Sequence, residues 1–260
     1  MRYGGWRRMN MEEQMIEALG MRLANRAYLY RIFHIVFGAE PTSEELATIG
    51  SAKTVEAFRY FADAVRTQAG GVGVDGGGGA EASADELAKA AELLALLGEK
   101  ADDGEYVDSL KSAFTRLFLV PGESYVYPWE SPYIGKEVML FQESTLDVRN
   151  RYAEYGFAAV EYGHFPEDHV SMMLDFLAHL STRAFDAFES EEDDETRRIL
   201  ASQGDFIAAH LTDWLPSFCE RLAEKDASGV YARLGCALKA FLAMDKRFVG
   251  ETLEDGFASA

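Results

Sequence analysis

Cysteine, proline and positive charge are all scarce in this chain of 260 residues, and each shortage removes a class of function. Two cysteines, Cys219 and Cys236, stand seventeen positions apart with no C-x-x-C or Cys/His spacing. That is neither a disulfide framework nor a zinc signature, and it fits a reducing compartment. Lys and Arg number 25 against 44 Asp and Glu, a formal net charge of −19 with a pI near 4.6. Such a surface repels phosphate backbones and anionic lipid, which excludes nucleic-acid and membrane-surface binding and favours cationic partners. No apolar run approaches the roughly 20 residues of a membrane span, so no stable insertion is expected. "GGGGAEAS" lacks the Lys-Ser/Thr ending of a phosphate-cradling loop, so nothing supports nucleotide binding, and no cofactor is expected. Arg7-Arg8 has the look of an export signal, but the following stretch is acidic and amphipathic. The expected location is the cytoplasm.

Only six prolines interrupt the chain, and helical periodicity fills most of it. Ile16, Leu19, Leu23, Ala27, Tyr30, Phe33 and Phe37 recur at steps of three and four, with Gly38 and Pro41 as stop signals. Thr42 and Glu45 have capping-box spacing, and "VEAFRYFADAV" continues that helix to about residue 68. Residues 70–79, "GGVGVDGGGG", read as a flexible connector, because glycine loses much backbone entropy on ordering. Ser83 and Glu86 form a second capping box, and Leu110, Phe114, Leu117 and Phe118 share one face of a further helix. Ser144 and Asp147 have near-capping-box spacing, and the acidic run Glu189–Glu195 reads as a solvated loop. No alternating strand pattern of useful length appears. The predicted fold is an all-α bundle of roughly ten helices in one domain over residues 1–260, the connector leaving room for N- and C-terminal subdomains.

Two stretches carry chemistry. In "PEDHVSMMLDFLAHL", Pro166 suits a first helical turn and Glu167 and Asp168 suit the positive end of a helix dipole. At about 100° per residue, Asp175 and His179 fall within roughly 20° of Asp168. Met172, Met173, Phe176, Leu177 and Leu180 form an apolar arc, with His169 in its middle. Capping and core packing account for this pattern without any function. A catalytic dyad is disfavoured, since adjacent helical residues diverge by about 100°. A metal site is disfavoured because Met172 and Met173 occupy the i+3 and i+4 positions from His169. Neither catalytic nor metal residues are assigned. In "YVYPWESPY", Pro128 and Pro132 stiffen a segment bearing Tyr125, Tyr127, Trp129 and Tyr133, either a binding surface or a loop whose Trp covers the core.

The order "FTRLFLVPG", "PWESPY", "FQESTLDVRNRYAEYGF" and "PEDHVSMMLDFLAHL" resembles the redox-enzyme maturation chaperones of the TorD/DmsD type, continuously over about residues 110 to 182. The pattern departs at Phe165 and Met173, where the family usually has acids, and at Val120, where it has Gly. The resemblance implies a TorD-like helical fold without catalysis. It also implies a partner: the twin-arginine signal peptide and apo form of a molybdopterin-containing oxidoreductase catalytic subunit, whose cofactor insertion is assisted and whose export is delayed. Asp168, His169, Trp129 and Tyr133 would then lie at the peptide surface, with Pro128, Glu130 and Ser131 matching the family's loop. Met172, Met173 and Phe176 beside His169 would wall a groove for the apolar part of the peptide, and acids would grip its arginines. The alternatives are a metal-dependent hydrolase built on His164, Asp168 and His169, or a helical assembly module without signal specificity. The chain is expected as a monomer or homodimer.

Overall fold

The first helix carries its apolar stripe as the spacing predicts, but only over its second half. In the computed structural model, which describes residues 3–69, 77–135, 143–158 and 166–255, α1 spans Tyr3–Gly38. Leu23, Tyr30, Phe33 and Phe37 are buried, whereas residues 13–18 are all exposed and Ile16 lies outside the core. The capping box forms at the start of α2 (Ser43–Ile49): the Glu45 amide donates to Thr42 Oγ1 at 3.1 Å, and the Thr42 amide donates to Glu45 Oε2 at 2.9 Å. The single helix expected to run on to residue 68 is instead two, with α3 beginning at Ala52 and ending at Ala69. The break has a packing cause. Gly50 lies so close to Gly98 that a Cβ there would stand 2.2 Å from the Gly98 nitrogen.

α4 spans Gly77–Glu99, so three glycines assigned to the connector open a helix, and residues 70–76 lie outside the described residues. Ser83 is therefore an interior residue and not a cap, its hydroxyl donating to the Gly79 carbonyl at 3.0 Å. α5 (Gly104–Phe114) runs directly into a π-helical turn at Thr115–Leu119. Leu110, Phe114, Leu117 and Phe118 are buried together, as their spacing predicts. α6 is a single turn, Ser131–Ile134; α7 spans Glu143–Glu154, with Ser144 inside it; α8 spans Val170–Glu189. The acidic run is an exposed loop only at Ser190, Glu191 and Glu192. Glu189 closes α8, and Asp193, Asp194 and Glu195 form the first turn of α9 (Asp193–His210), where they meet the positive end of its dipole. α10 (Leu215–Lys225) and α11 (Val230–Asp255) complete an all-α architecture whose described residues hold no sheet, only one isolated β-bridge.

α8 packs along α1 and α9, while α11 packs against α4, α9 and α10. Tyr30 and Phe61 meet Phe241 of α11 with ring centroids 4.9 and 5.3 Å away. Within this apolar interior sits a buried ion pair. Arg26 of α1 donates through Nε and a terminal nitrogen to Asp245 of α11, and a 3.0 Å bond joins Arg26 to Gln203 of α9. Tyr30 also donates to Asp245. Burial opposes charge on Arg26, but Asp245 outweighs it and raises the guanidinium's pKa further. The network ties three helices in one register.

Candidate functional site

The aromatic loop and the Asp-His turn, distant in sequence, are one structural unit. Beyond the π-helical turn the chain leaves the helix at Val120 and turns at Gly122–Tyr125, and the Val126 amide donates to the Leu117 carbonyl at 2.7 Å with Val126 fully buried. Tyr133 ties the loop's far end back, its hydroxyl donating to the Tyr127 carbonyl at 2.9 Å. Two backbone bonds then cross to the turn. The Val170 amide donates to the Pro128 carbonyl at 2.7 Å, and the Glu130 amide donates to the Asp168 carbonyl at 3.1 Å. Together they pair Trp129 with His169 in an antiparallel bridge.

This pairing shifts the helix start from where Pro166 would place it. The Asp168 carbonyl and the Val170 amide are spent on the loop, so residues 166–168 form a turn and α8 begins at Val170. His169 is the N-cap and not a residue on an apolar helical arc. Its Nδ1 accepts from the Ser171 amide at 3.2 Å, which requires that nitrogen to be unprotonated. Burial, with His34 nearby, holds this imidazole down at about 4. Asp168 caps a different helix: its Oδ2 accepts from the Ser131 amide at 2.8 Å, at the start of α6. The two side chains thus serve separate partners and do not form a dyad.

Asp168 and Ser131 are 0% exposed and Glu130 1%. Pro128 is also buried. Phe176 lies in an aromatic core cluster, 4.7 Å from Tyr152 and 5.0 Å from Phe206, and does not wall an open groove. Trp129, Tyr133 and Met172 remain half-buried. Tyr125, Tyr127 and Trp129 form a run of edge-on rings with centroids 5.0 and 5.9 Å apart, continued by His169 at 6.1 Å from Trp129. Tyr125, Tyr127 and Trp129 form the open face of the unit, whereas His169 is itself buried. His164 lies outside the described residues, and among the described residues no group of three or more His, Cys, Asp or Glu is placed to hold a metal ion.

The structure adds residues that sequence spacing did not single out for the site. Glu167 takes a 2.7 Å bond from Arg149 Nε on α7, and the Tyr152 hydroxyl donates to the Glu167 carbonyl at 2.9 Å. His210, in the last turn of α9, bridges two acids: Nδ1 is 3.2 Å from Glu130 Oε2, and Nε2 is 2.9 Å from Asp147 Oδ2. Burial works against charge on His210, but the bonds and charges of Glu130 and Asp147 prevail and hold its pKa above the ordinary value. Burial raises the Glu130 carboxyl, with His210 opposing and Asp168 and Asp147 reinforcing the rise. A basic residue in a last helical turn was the only local signal for His210.

A sequence profile described as "Nitrate reductase delta subunit" matches residues 79–220, more than half of the chain and the span that holds the loop, α7, the turn and His210. The chain belongs to the nitrate reductase delta subunit family. Among similar proteins in that setting, the chaperone protein TorD of Vibrio cholerae serotype O1 (strain ATCC 39541 / Classical Ogawa 395 / O395) is 28% identical over 244 residues, covering 93% of this chain and 99% of that protein. The chaperone protein TorD of Vibrio parahaemolyticus serotype O3:K6 is 26% identical over 225 residues, covering 86% and 94%. A third, from Vibrio cholerae strain ATCC 39315, is 33% identical over 146 residues, covering 56% of this chain and 64% of that protein. These relatives are named for chaperone work and not for a reaction. The resemblance to TorD/DmsD-type chaperones drawn from the four motifs is thereby borne out, and this member of the delta subunit family has the all-helical fold that it implied.

Proposed function

We propose that this delta subunit family member captures the twin-arginine signal peptide of a molybdopterin-containing oxidoreductase catalytic subunit in the cytoplasm, assists its cofactor insertion and delays its export. The observation that carries this reading is the bridged unit itself. Backbone pairing fixes a rigid loop against α8 and leaves Tyr125, Tyr127 and Trp129 half-open, so their rings lose little freedom when an apolar peptide segment covers them. The strongly acidic character of the chain, with a formal net charge of −19, suits the guanidinium groups, since Arg–carboxylate bonds are charge-assisted and often bidentate. In this mechanism Asp168 and His169 work as architecture: one caps α6, the other caps α8, and together they hold the aromatic face in place. Capture is reversible and makes no covalent bond. Among the described residues no helix is long and apolar enough to cross a membrane.

The test is calorimetric titration of the full chain with a synthetic twin-arginine signal peptide and with the same peptide carrying Gln at both arginines. The arginine peptide should bind more tightly, and Trp129→Ala should cost on the order of 2 kcal/mol of affinity while the melting temperature stays close to wild type. Equal binding of the two peptides would point instead to a helical assembly module without signal specificity. An unchanged affinity in Trp129→Ala would remove the loop from the site.

A further inference from the structure

We propose that Asp147, seated on His210 beside Glu130, is the carboxylate that receives a guanidinium of the peptide, His210 holding the place of that cation until it arrives. This rests on the peptide reading and deepens it by naming the contact that distinguishes arginine from a neutral side chain.

Four carboxylates meet where the bridged unit joins α7 and α9, and their exposure separates them. Asp168 and Glu130 are sealed beneath the loop, and the Glu167 side chain, 8% exposed, already carries Arg149. The Asp147 side chain is 52% exposed, so an incoming arginine reaches it without opening the fold. Its present partners are replaceable. His210 offers Asp147 one ring N–H at 2.9 Å, while Arg151, one turn along α7, approaches only to 3.7 Å. A planar guanidinium offers paired donors to both carboxylate oxygens at once, a better match than a single imidazole nitrogen.

Carboxylates predominate around His210, and the cations nearby are engaged elsewhere or only weakly, Arg149 with Glu167 and Arg151 at 3.7 Å from Asp147. Around His210 stand Glu130 from the loop, Asp147 with Arg151 from α7, and Asp168 from the turn before α8; from α11, Lys246 reaches only Thr212, two residues beyond His210. Independently of that bridge, Asp168 keeps its Oδ1 fully buried with no hydrogen-bond partner. The Glu130 carboxyl responds to this excess, being raised by burial and, among the charges, by Asp168 and Asp147. One imidazole therefore stands between carboxylates that a further cation would stabilise.

The sign of a pH effect follows. The pKa of His210 is held above its ordinary value by Glu130 and Asp147, so the imidazolium competes with the peptide in mildly acidic solution and withdraws as pH rises through that raised pKa. The experiment titrates the full chain with the twin-arginine peptide at pH 6.0 and 8.5, using wild type, Asp147→Asn, His210→Gln and, as an exposed-acid control on the loop, Glu123→Gln. Wild-type affinity should rise several-fold between the two pH values. Asp147→Asn should lose roughly tenfold in affinity at the higher pH and abolish the rise. His210→Gln, neutral throughout, should bind at pH 6.0 about as tightly as at 8.5, and Glu123→Gln should follow wild type. Wild-type affinity in Asp147→Asn, or a pH response that survives in it, overturns the assignment while leaving peptide capture intact. Failure of the wild type to prefer arginine over glutamine overturns peptide capture, and this assignment with it.

Discussion

The cap of α8 makes stability depend on the protonation of one buried imidazole, and His169→Asn tests this directly. In the folded chain Nδ1 accepts from the Ser171 amide, so a proton there would set donor against donor. The folded-state pKa is held at about 4 against an ordinary 6.5. Between those values the unfolded chain binds a proton that the native chain refuses, so the stabilisation is complete above 6.5 and is lost as pH falls toward 4. A depression of about 2.5 units at 1.36 kcal/mol each limits the loss to roughly 3 kcal/mol, of which about 2 kcal/mol separates pH 7.0 from pH 4.5. Asn is a good N-cap and does not titrate, so His169→Asn keeps the helix start and removes the proton-linked contribution. Urea unfolding of both proteins at the two pH values isolates the effect, because the carboxylates that also titrate in this range are common to both. Wild type should lose about 2 kcal/mol more than the variant between pH 7.0 and 4.5. Equal losses would mean that the native imidazole accepts the proton, and the buried cap would be refuted.

Three further outcomes are expected. Asp168→Ala removes the side-chain acceptor of the Ser131 amide at the start of α6, so it should cost about 1–2 kcal/mol in urea unfolding; a stability equal to wild type would show that Asp168 holds no architecture. Gly50→Ala places a methyl 2.2 Å from the Gly98 nitrogen, backbone that has no flexible end to move, and should lower the melting temperature markedly, whereas Gly79→Ala, with open space around it, should not. Arg26→Ala leaves the buried Asp245 without its cation and should cost about 3–5 kcal/mol, while Arg26→Met combined with Asp245→Leu should recover most of that loss in the same thermal assay.

Much of the helical framework was legible because its signals are local. The i, i+3, i+4 stripe from Leu23 to Phe37, the Thr42/Glu45 box and the Leu110–Phe118 face each depend on neighbours within a few turns. The misjudged boundaries depend on distant contacts. Nothing near Gly50 announces that Gly98 will lie against it, and nothing near Ser83 shows that the helix begins six residues earlier. The site divides in the same way. The ring content of "YVYPWESPY" and the acids before His169 were visible, but their antiparallel pairing was not, and that pairing moved the start of α8 and turned His169 from a helical residue into a cap. His210 was invisible as a site residue because its partner Glu130 is eighty positions away.

Composition and periodicity alone determined that this chain is acidic and built of amphipathic helices, since charge count and a 3.6-residue stripe are properties of the chain before it folds. Motif order alone pointed to a maturation chaperone. Which carboxylates are sealed, which one faces solvent and which histidine bridges them was decided only by tertiary structure. Burial and hydrogen-bond partnership arise where the loop, α7, α8 and α9 converge, and a linear sequence does not specify how far a side chain stands from water.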